Sequence, residues 1–209
     1  MRMVIMMSAF ISLACTGFAQ SQIDLKKRID LLEERIARLE AACEKQECRQ
    51  AAVATKEQIV ENERALAKAR MRKDLEVYSS EDLSKIEHLY QVASKGWDSE
   101  AGKKSLEELI AKYDKANRTG CAVQYLGQMT QGDERVHYLN KAIESYSDCR
   151  YGNGVQVGAY ARFWLAWQYK KDGNENKAKK LFAEIAKMYP NAIDHRGNLL
   201  SDVIAKENK

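Results

Sequence analysis

Residues Ala159–Pro190 read AYARFWLAWQYKKDGNENKAKKLFAEIAKMYP, and the order of residue types along them decides the fold. Helix formers run through Tyr169, Asp172-Gly173-Asn174 supplies a turn, a second helical stretch runs through Met188, and Pro190 stops it. Two helices joined by so short a turn form an antiparallel hairpin. Small Ala166 and Ala178 let the helices approach closely, Gly173 turns the chain, and Leu165, Tyr169 and Phe182 fill the space between them.

The pattern recurs upstream in weaker form. Ile110-Ala111-Lys112-Tyr113, Ile143-Glu144-Ser145-Tyr146 and Ile185-Ala186-Lys187-Met188-Tyr189 each close a helix, with tyrosines 33 and then 43 positions apart. Three hairpins follow, over about 80–117, 119–150 and 158–192, with a final helix at about 194–207, opened by Asp194 and covering the free end. The ten extra residues fall in a flexible insertion, Asp148–Val157. Its Tyr151-Gly152-Asn153-Gly154 start looks superficially like a phosphate-cradling loop, but it lacks both a preceding strand and a Gly-Lys-Ser/Thr ending. In the middle hairpin, Gly127 inside the first helix and a short turn at Gln131-Gly132 leave the packing open.

Leu165, Ala166, Tyr169, Gly173, Ala178, Phe182 and Pro190 match the tetratricopeptide repeat in order and spacing, and the chain resembles that family. The resemblance implies an all-α array of hairpins that holds extended peptides or helices on a concave face lined by the first helix of each hairpin. In this sequence Tyr160, Phe163, Trp167, Lys170 and Lys171 occupy those positions. Aromatic anchors beside a lysine pair suit a peptide carrying an acidic group. Packing of the same rings against the neighbouring hairpin is the plainer alternative, and it stays open at this point.

Towards the N-terminus, Leu25, Ile29, Leu32, Ile36, Leu39 and Cys43 alternate steps of four and three, the seam of a coiled coil. Arg28, Ile29, Leu32 and Glu33, and again Arg35, Ile36, Leu39 and Glu40, resemble the Arg-apolar-x-x-apolar-Glu signature of short trimeric coiled coils, in which the Arg pairs with a neighbour's Glu. The tandem copies favour a homotrimer over a dimer, and a single amphipathic helix folded onto its own domain remains the alternative. From Glu44 to Lys73 there is neither Gly nor Pro, and the segment reads as a polar helical spacer.

The first residues read as a leader. Met1-Arg2-Met3 is a short positive start, Val4–Ala14 an apolar run, and Gly17-Phe18-Ala19 a cleavage site. Cys15 as a lipid-modified N-terminus is the rival reading. The expected organisation is therefore a signal peptide over 1–19, a coiled coil over 20–46, a spacer over 47–78 and the repeat-like domain over 79–209, in an exported, periplasmic chain.

Cys43, Cys48, Cys121 and Cys149 follow the leader. Cys121 opens the first helix of the middle hairpin and Cys149 follows its second, so both fall at one end of the pair. A Cys121–Cys149 disulfide is expected, closing a loop of about 28 residues and contributing on the order of 3 kcal/mol.

With 34 basic and 30 acidic residues mixed along the whole length, the net charge of +4 forms no basic stripe, and no nucleic-acid partner is expected. His88, His137 and His195 lie about fifty residues apart and share no motif with a cysteine or paired carboxylate, so each reads as a helix-surface residue. No metal, cofactor or catalytic constellation is expected, and the chain reads as a non-enzyme.

Leader, coiled coil, spacer and repeats together resemble the Tol-Pal-associated periplasmic cell-division coordinator family, the detailed match covering Arg28–Glu40 and Ala159–Pro190. That resemblance implies an envelope adaptor that oligomerises at one end and binds a protein or peptide partner at the other. A passive structural spacer, or an accessory subunit of a cell-wall enzyme, are the alternatives.

Overall fold

The computed structural model describes residues 26–29, 31–40, 54–96 and 99–207, and the chain divides into two compact units, 1–54 and 55–209. The leader, Leu25, Cys43 and Cys48 lie outside the described residues. In the first unit, residues 26–29 and 31–40 are helical. Ile29, Leu32, Ile36 and Leu39 are all exposed there, and Arg38 donates to Glu34 across one turn at 2.6 Å.

The second unit contains α1 (Lys56–Arg72), a 3-10 turn (Lys73–Glu76), α2 (Ser80–Lys95), α3 (Glu100–Lys112), α4 (Asn117–Met129), α5 (Gly132–Ser145), α6 (Val157–Lys171), α7 (Glu175–Met188) and α8 (Leu200–Glu207). Helices α2/α3, α4/α5 and α6/α7 form the three expected hairpins. The first helices also touch one another, α2 to α4 and α4 to α6, so they line one face of the array. Among the described residues there is no β-strand, only two isolated antiparallel bridges, Arg150–Gln156 and Ile193–Leu199.

Local chemistry sets the element ends. The Ser79 and Ser99 hydroxyls accept from the N–H groups of Asp82 and Gly102, capping α2 and α3, and Asn174 caps α7 in the same way. Tyr113, Tyr146 and Tyr189 are the C-caps of α3, α5 and α7, each donating its N–H to the carbonyl four residues earlier. The carbonyl of each tyrosine then accepts from the N–H three residues on, at 3.1, 3.0 and 3.0 Å. The tyrosine spacing seen in the sequence is thus the spacing of one repeated helix-ending turn.

Side-chain volume sets the packing between helices. Leu165, Ala166, Ala178, Phe182 and Ile185 are buried between α6 and α7. Gly127 sits where the Leu139 side chain crosses: a Cβ at 127 would lie 2.7 Å from Leu139 Cδ2. The middle hairpin therefore packs by seating a leucine on a glycine, which accounts for a residue that weakens a helix.

Three expectations need correction. The insertion Asp148–Val157 is a built loop rather than a flexible one: Val155 and Val157 are fully buried, and Tyr151 is 7% exposed with its hydroxyl 3.1 Å from the Cys121 carbonyl. The same loop then recurs 43 positions later. Bridge Arg150–Gln156 becomes Ile193–Leu199, the bond from Val157 N–H to the Cys149 carbonyl becomes Leu200 to Ala192, and the positive-φ glycine moves from 154 to 197. The last helix accordingly begins at Leu200 and not at 194. Asp194 instead caps the loop, its Oδ1 accepting from the N–H groups of Arg196 and Asn198, both at 2.8 Å.

The second correction concerns 47–78. Helix α1 belongs to the compact unit that starts at Thr55, and it lies on the repeat linkers instead of standing off as a spacer. Glu63, 5% exposed, pairs with Arg150, and Ala67 is fully buried. Arg70 donates to Asp74 at 2.9 Å and to Asp148 at 2.8 Å. Asp74 in turn accepts from the N–H of Asn117 at 2.9 Å. The N-cap of α4, Ala116, has no capping side chain of its own, and a carboxylate from a distant segment supplies one.

The third concerns the cysteines. Cys121 and Cys149 are both buried and free, so the expected disulfide is not present in this structure. Cys149 seats its sulfur over Gly120, where a Cβ would lie 2.6 Å from it, and Arg70 Nη2 approaches the same sulfur at 3.5 Å. Burial pushes the Cys149 thiol up to about 12 and raises that of Cys121 as well, so both are protonated at neutral pH.

Candidate functional site

On the face formed by the first helices, α6 carries most of the aromatic surface. Tyr160, Phe163 and Trp167 follow one another at the spacing of a helix face. Tyr160 and Phe163 stack with centroids 6.0 Å apart and planes at 4°, and Phe163 meets Trp167 edge-on at 6.1 Å. Trp167 leans on Phe182 of α7 at 5.7 Å, and the Lys170 ammonium lies over the Trp167 ring at 4.8 Å.

The five residues singled out from sequence do not share one environment. Phe163, Trp167 and Lys170 are half-buried, and Lys171 is exposed. Tyr160 is 9% exposed, so its expected place as a contact on the open face is corrected. His195 meets its ring edge-on at 5.0 Å and Trp164 at 6.2 Å, and Tyr160 supports the face from beneath. What remains accessible is an aromatic pair with a lysine pair at its end.

His195 is the residue that sequence reasoning placed least well. It sits in the second linker loop and not on a helix, with its ring edge-on to Tyr151 at 4.7 Å as well as to Tyr160. Its Nδ1 lies 3.1 Å from the Asn153 side-chain amide, which ties the two copies of the loop together. Desolvation holds the imidazole below its ordinary value of 6.5, against a smaller opposing pull from Asp194. The signal that could have found it is the 43-residue period, carried on through Pro190 to the end of the chain. His88 and His137 are exposed on α2 and α5, as expected.

Among the described residues no group of three or more His, Cys, Asp or Glu could hold a metal ion, and no helix is long and apolar enough to cross a membrane. In the first unit Arg28, Glu33, Arg35 and Glu40 are exposed beside Ile29, Leu32, Ile36 and Leu39.

The architecture is that of an all-α helical repeat array. Residues 160–192, which cover most of α6, all of α7 and the tyrosine turn, match a family model described as tetratricopeptide repeat. No curated protein and no solved structure matches the chain significantly. The family match and the hairpins together support a tetratricopeptide-repeat protein, a class of helical scaffold that generally binds other proteins.

Proposed function

We propose that the chain is an exported envelope adaptor that self-associates through residues 20–46 and holds a protein or peptide partner on the first-helix face of its repeats. One observation carries the partner reading: Phe163 and Trp167 keep solvent access within a matched repeat, with Lys170 and Lys171 beside them. Rigid aromatic rings give contact area at small entropy cost, and the lysines add attraction for a carboxylate. The partner that fits is an extended or helical segment ending in an acidic group. The likeness to Tol-Pal-associated periplasmic coordinators supports the same reading through its order of parts, with no role for a reaction centre.

Crosslinking capture from envelope extract, with the intact chain and with Phe163→Ala/Trp167→Ala, tests the partner face. The double variant loses the partner if the face is right. A partner retained at equal yield leaves a passive spacer as the better reading. Sedimentation of residues 20–209 against 55–209 tests the stem: a trimer for the first and a monomer for the second are expected, and a monomer for both removes the coiled coil.

A further inference from the structure

A second cleft opens between α2, α4 and the two linker loops, away from Phe163 and Trp167. Helix α2 contributes Tyr90 and Ser94, one turn apart, and α4 contributes Tyr125 and Gln128. The first loop adds Tyr151, Gly152 and Asn153, and His195 of the second loop closes the far side. Its volume is about 310 Å3, at the lower end of what small-molecule sites occupy.

The chemistry of this wall is unusual in two respects. Every lining side chain carries both an apolar or aromatic part or a short stem and a hydrogen-bonding group, and none is aliphatic. None is Lys, Arg, Asp or Glu either, and the His195 imidazole is held neutral at pH 7 by desolvation. Arg118 lies over the Tyr90 ring, 4.4 Å from its centroid, but it is not among the lining residues and its charge is paired with Glu87 at 2.8 Å. Across the Asn153–His195 contact the contrast is sharp: there a cleft of about 490 Å3 is lined by Lys56, Arg64 and Arg196 with Glu57 and Glu61. Charge is thus segregated to one side of the loop pair and absent from the other.

An aliphatic side chain of a peptide finds no matching wall in the neutral cleft, and a charged one finds no counter-ion. A pyranose ring fits both properties, since it offers an apolar C–H face to an aromatic ring and hydroxyls to amide, phenol and imidazole groups at its rim. The groups are available: among the described residues Ser94 Oγ, the Tyr90 hydroxyl and His195 Nε2 have no hydrogen-bond partner. The walls are also fixed. Tyr90 and Tyr125 hold their rings 6.4 Å apart across two helices, and Tyr151 is anchored from below by the Cys121 carbonyl. We propose that the cleft of Tyr90, Ser94, Tyr125, Gln128, Asn153 and His195 binds an uncharged saccharide, one ring of a neutral glycan. This function is separate from the peptide reading and uses different residues.

Saturation-transfer NMR and calorimetric titration of the full chain test it, with cellotriose, chitotriose, trigalacturonate and a blocked alanine tripeptide as probes. Binding of either neutral trisaccharide with a dissociation constant on the order of 1 mM is expected, the usual range for a small ligand in a shallow site. Their ratio reports whether Gln128 and Asn153 read an acetamido group. Tyr125→Ala weakens the binding at least about fivefold. Ser94→Trp, at an exposed helix position, blocks the cleft without touching the core. No transfer to either neutral sugar overturns the proposal, as does binding that survives both Tyr125→Ala and Ser94→Trp, equal or tighter binding of trigalacturonate, or binding of the tripeptide alone.

Discussion

Arg150 shows how much one side chain can organise. Its guanidinium pairs with Glu63, reaches the Gln156 side chain at 3.0 Å, and its own backbone exchanges two hydrogen bonds with the Asn117 side chain at 2.8 and 2.7 Å. With side-chain exposures of 11% and 7%, Arg150 and Glu63 form a buried ion pair, costly to leave half made. Glu63→Ala should destabilise the repeat unit by about 3 kcal/mol, read as a shift in the urea midpoint. Glu63→Leu combined with Arg150→Met should recover most of that loss; a double variant as unstable as the single would mean the charge itself is not the cause.

His195 makes a second residue-scale prediction. A histidine whose folded pKa is depressed binds its proton more readily once released, so its loop loses stability as pH falls through the unfolded value near 6.5 and levels off below the folded one. Desolvation pushes the Asp194 carboxyl up, but hydrogen bonds from Asn198 and Arg196 together outweigh it and hold the group below 3.8, so its own loss comes only at lower pH. Between about pH 7 and 5 the change is therefore the histidine's. Amide protection at 193–199, taken relative to the intrinsic exchange rate at each pH, should fall across that interval in the natural chain and stay flat in His195→Gln. An identical fall in both would assign the effect elsewhere.

At the scale of elements, the α4/α5 hairpin depends on a missing methyl group. Gly127→Ala places a Cβ 2.7 Å from Leu139 Cδ2 and 2.8 Å from its Cγ, contacts that real side chains do not make. Better helix propensity would by itself favour the alanine by about 1 kcal/mol, but overpacking costs about 1–3 kcal/mol. A net loss of stability is expected, relieved by a compensating Leu139→Ala; a stabilised Gly127→Ala would show that α5 can move away. The linker loops belong to this scale too. Their shared hydrogen bonds reappear with wholly different residues, Tyr151-Gly152-Asn153 in one and Asp194-His195-Arg196 in the other, because only the bridge positions and one positive-φ glycine are required of them. A sequence comparison by residue type passes over such a pair.

For the whole second unit, α1 decides the boundary. It neutralises Arg150 through Glu63 and joins the last loop through Lys56, which donates to Asn198 at 2.8 Å, while Asp74 of the 3-10 turn that follows it caps α4. Residues 79–209 without it should be less stable than 55–209 by several kcal/mol, from an unpaired buried arginine and a lost helix cap. Equal urea midpoints for the two fragments would return the segment to the role of a spacer.

The sequence by itself determined the three hairpins, the tyrosine turns that end them, and the alanines at which the helices of the last pair meet. Helix propensity, capping and volume act within a few residues, and their spacing is printed in the chain. Only the tertiary structure decided that α1 docks, that Tyr160 is roofed while Phe163 and Trp167 stay open, and that two loops and two helices enclose an uncharged cleft. Those outcomes rest on partners such as Glu63 and Arg150, 87 positions apart. A charge on a polar helix looks the same in sequence whether it meets water or an arginine, and folding alone brings the two together.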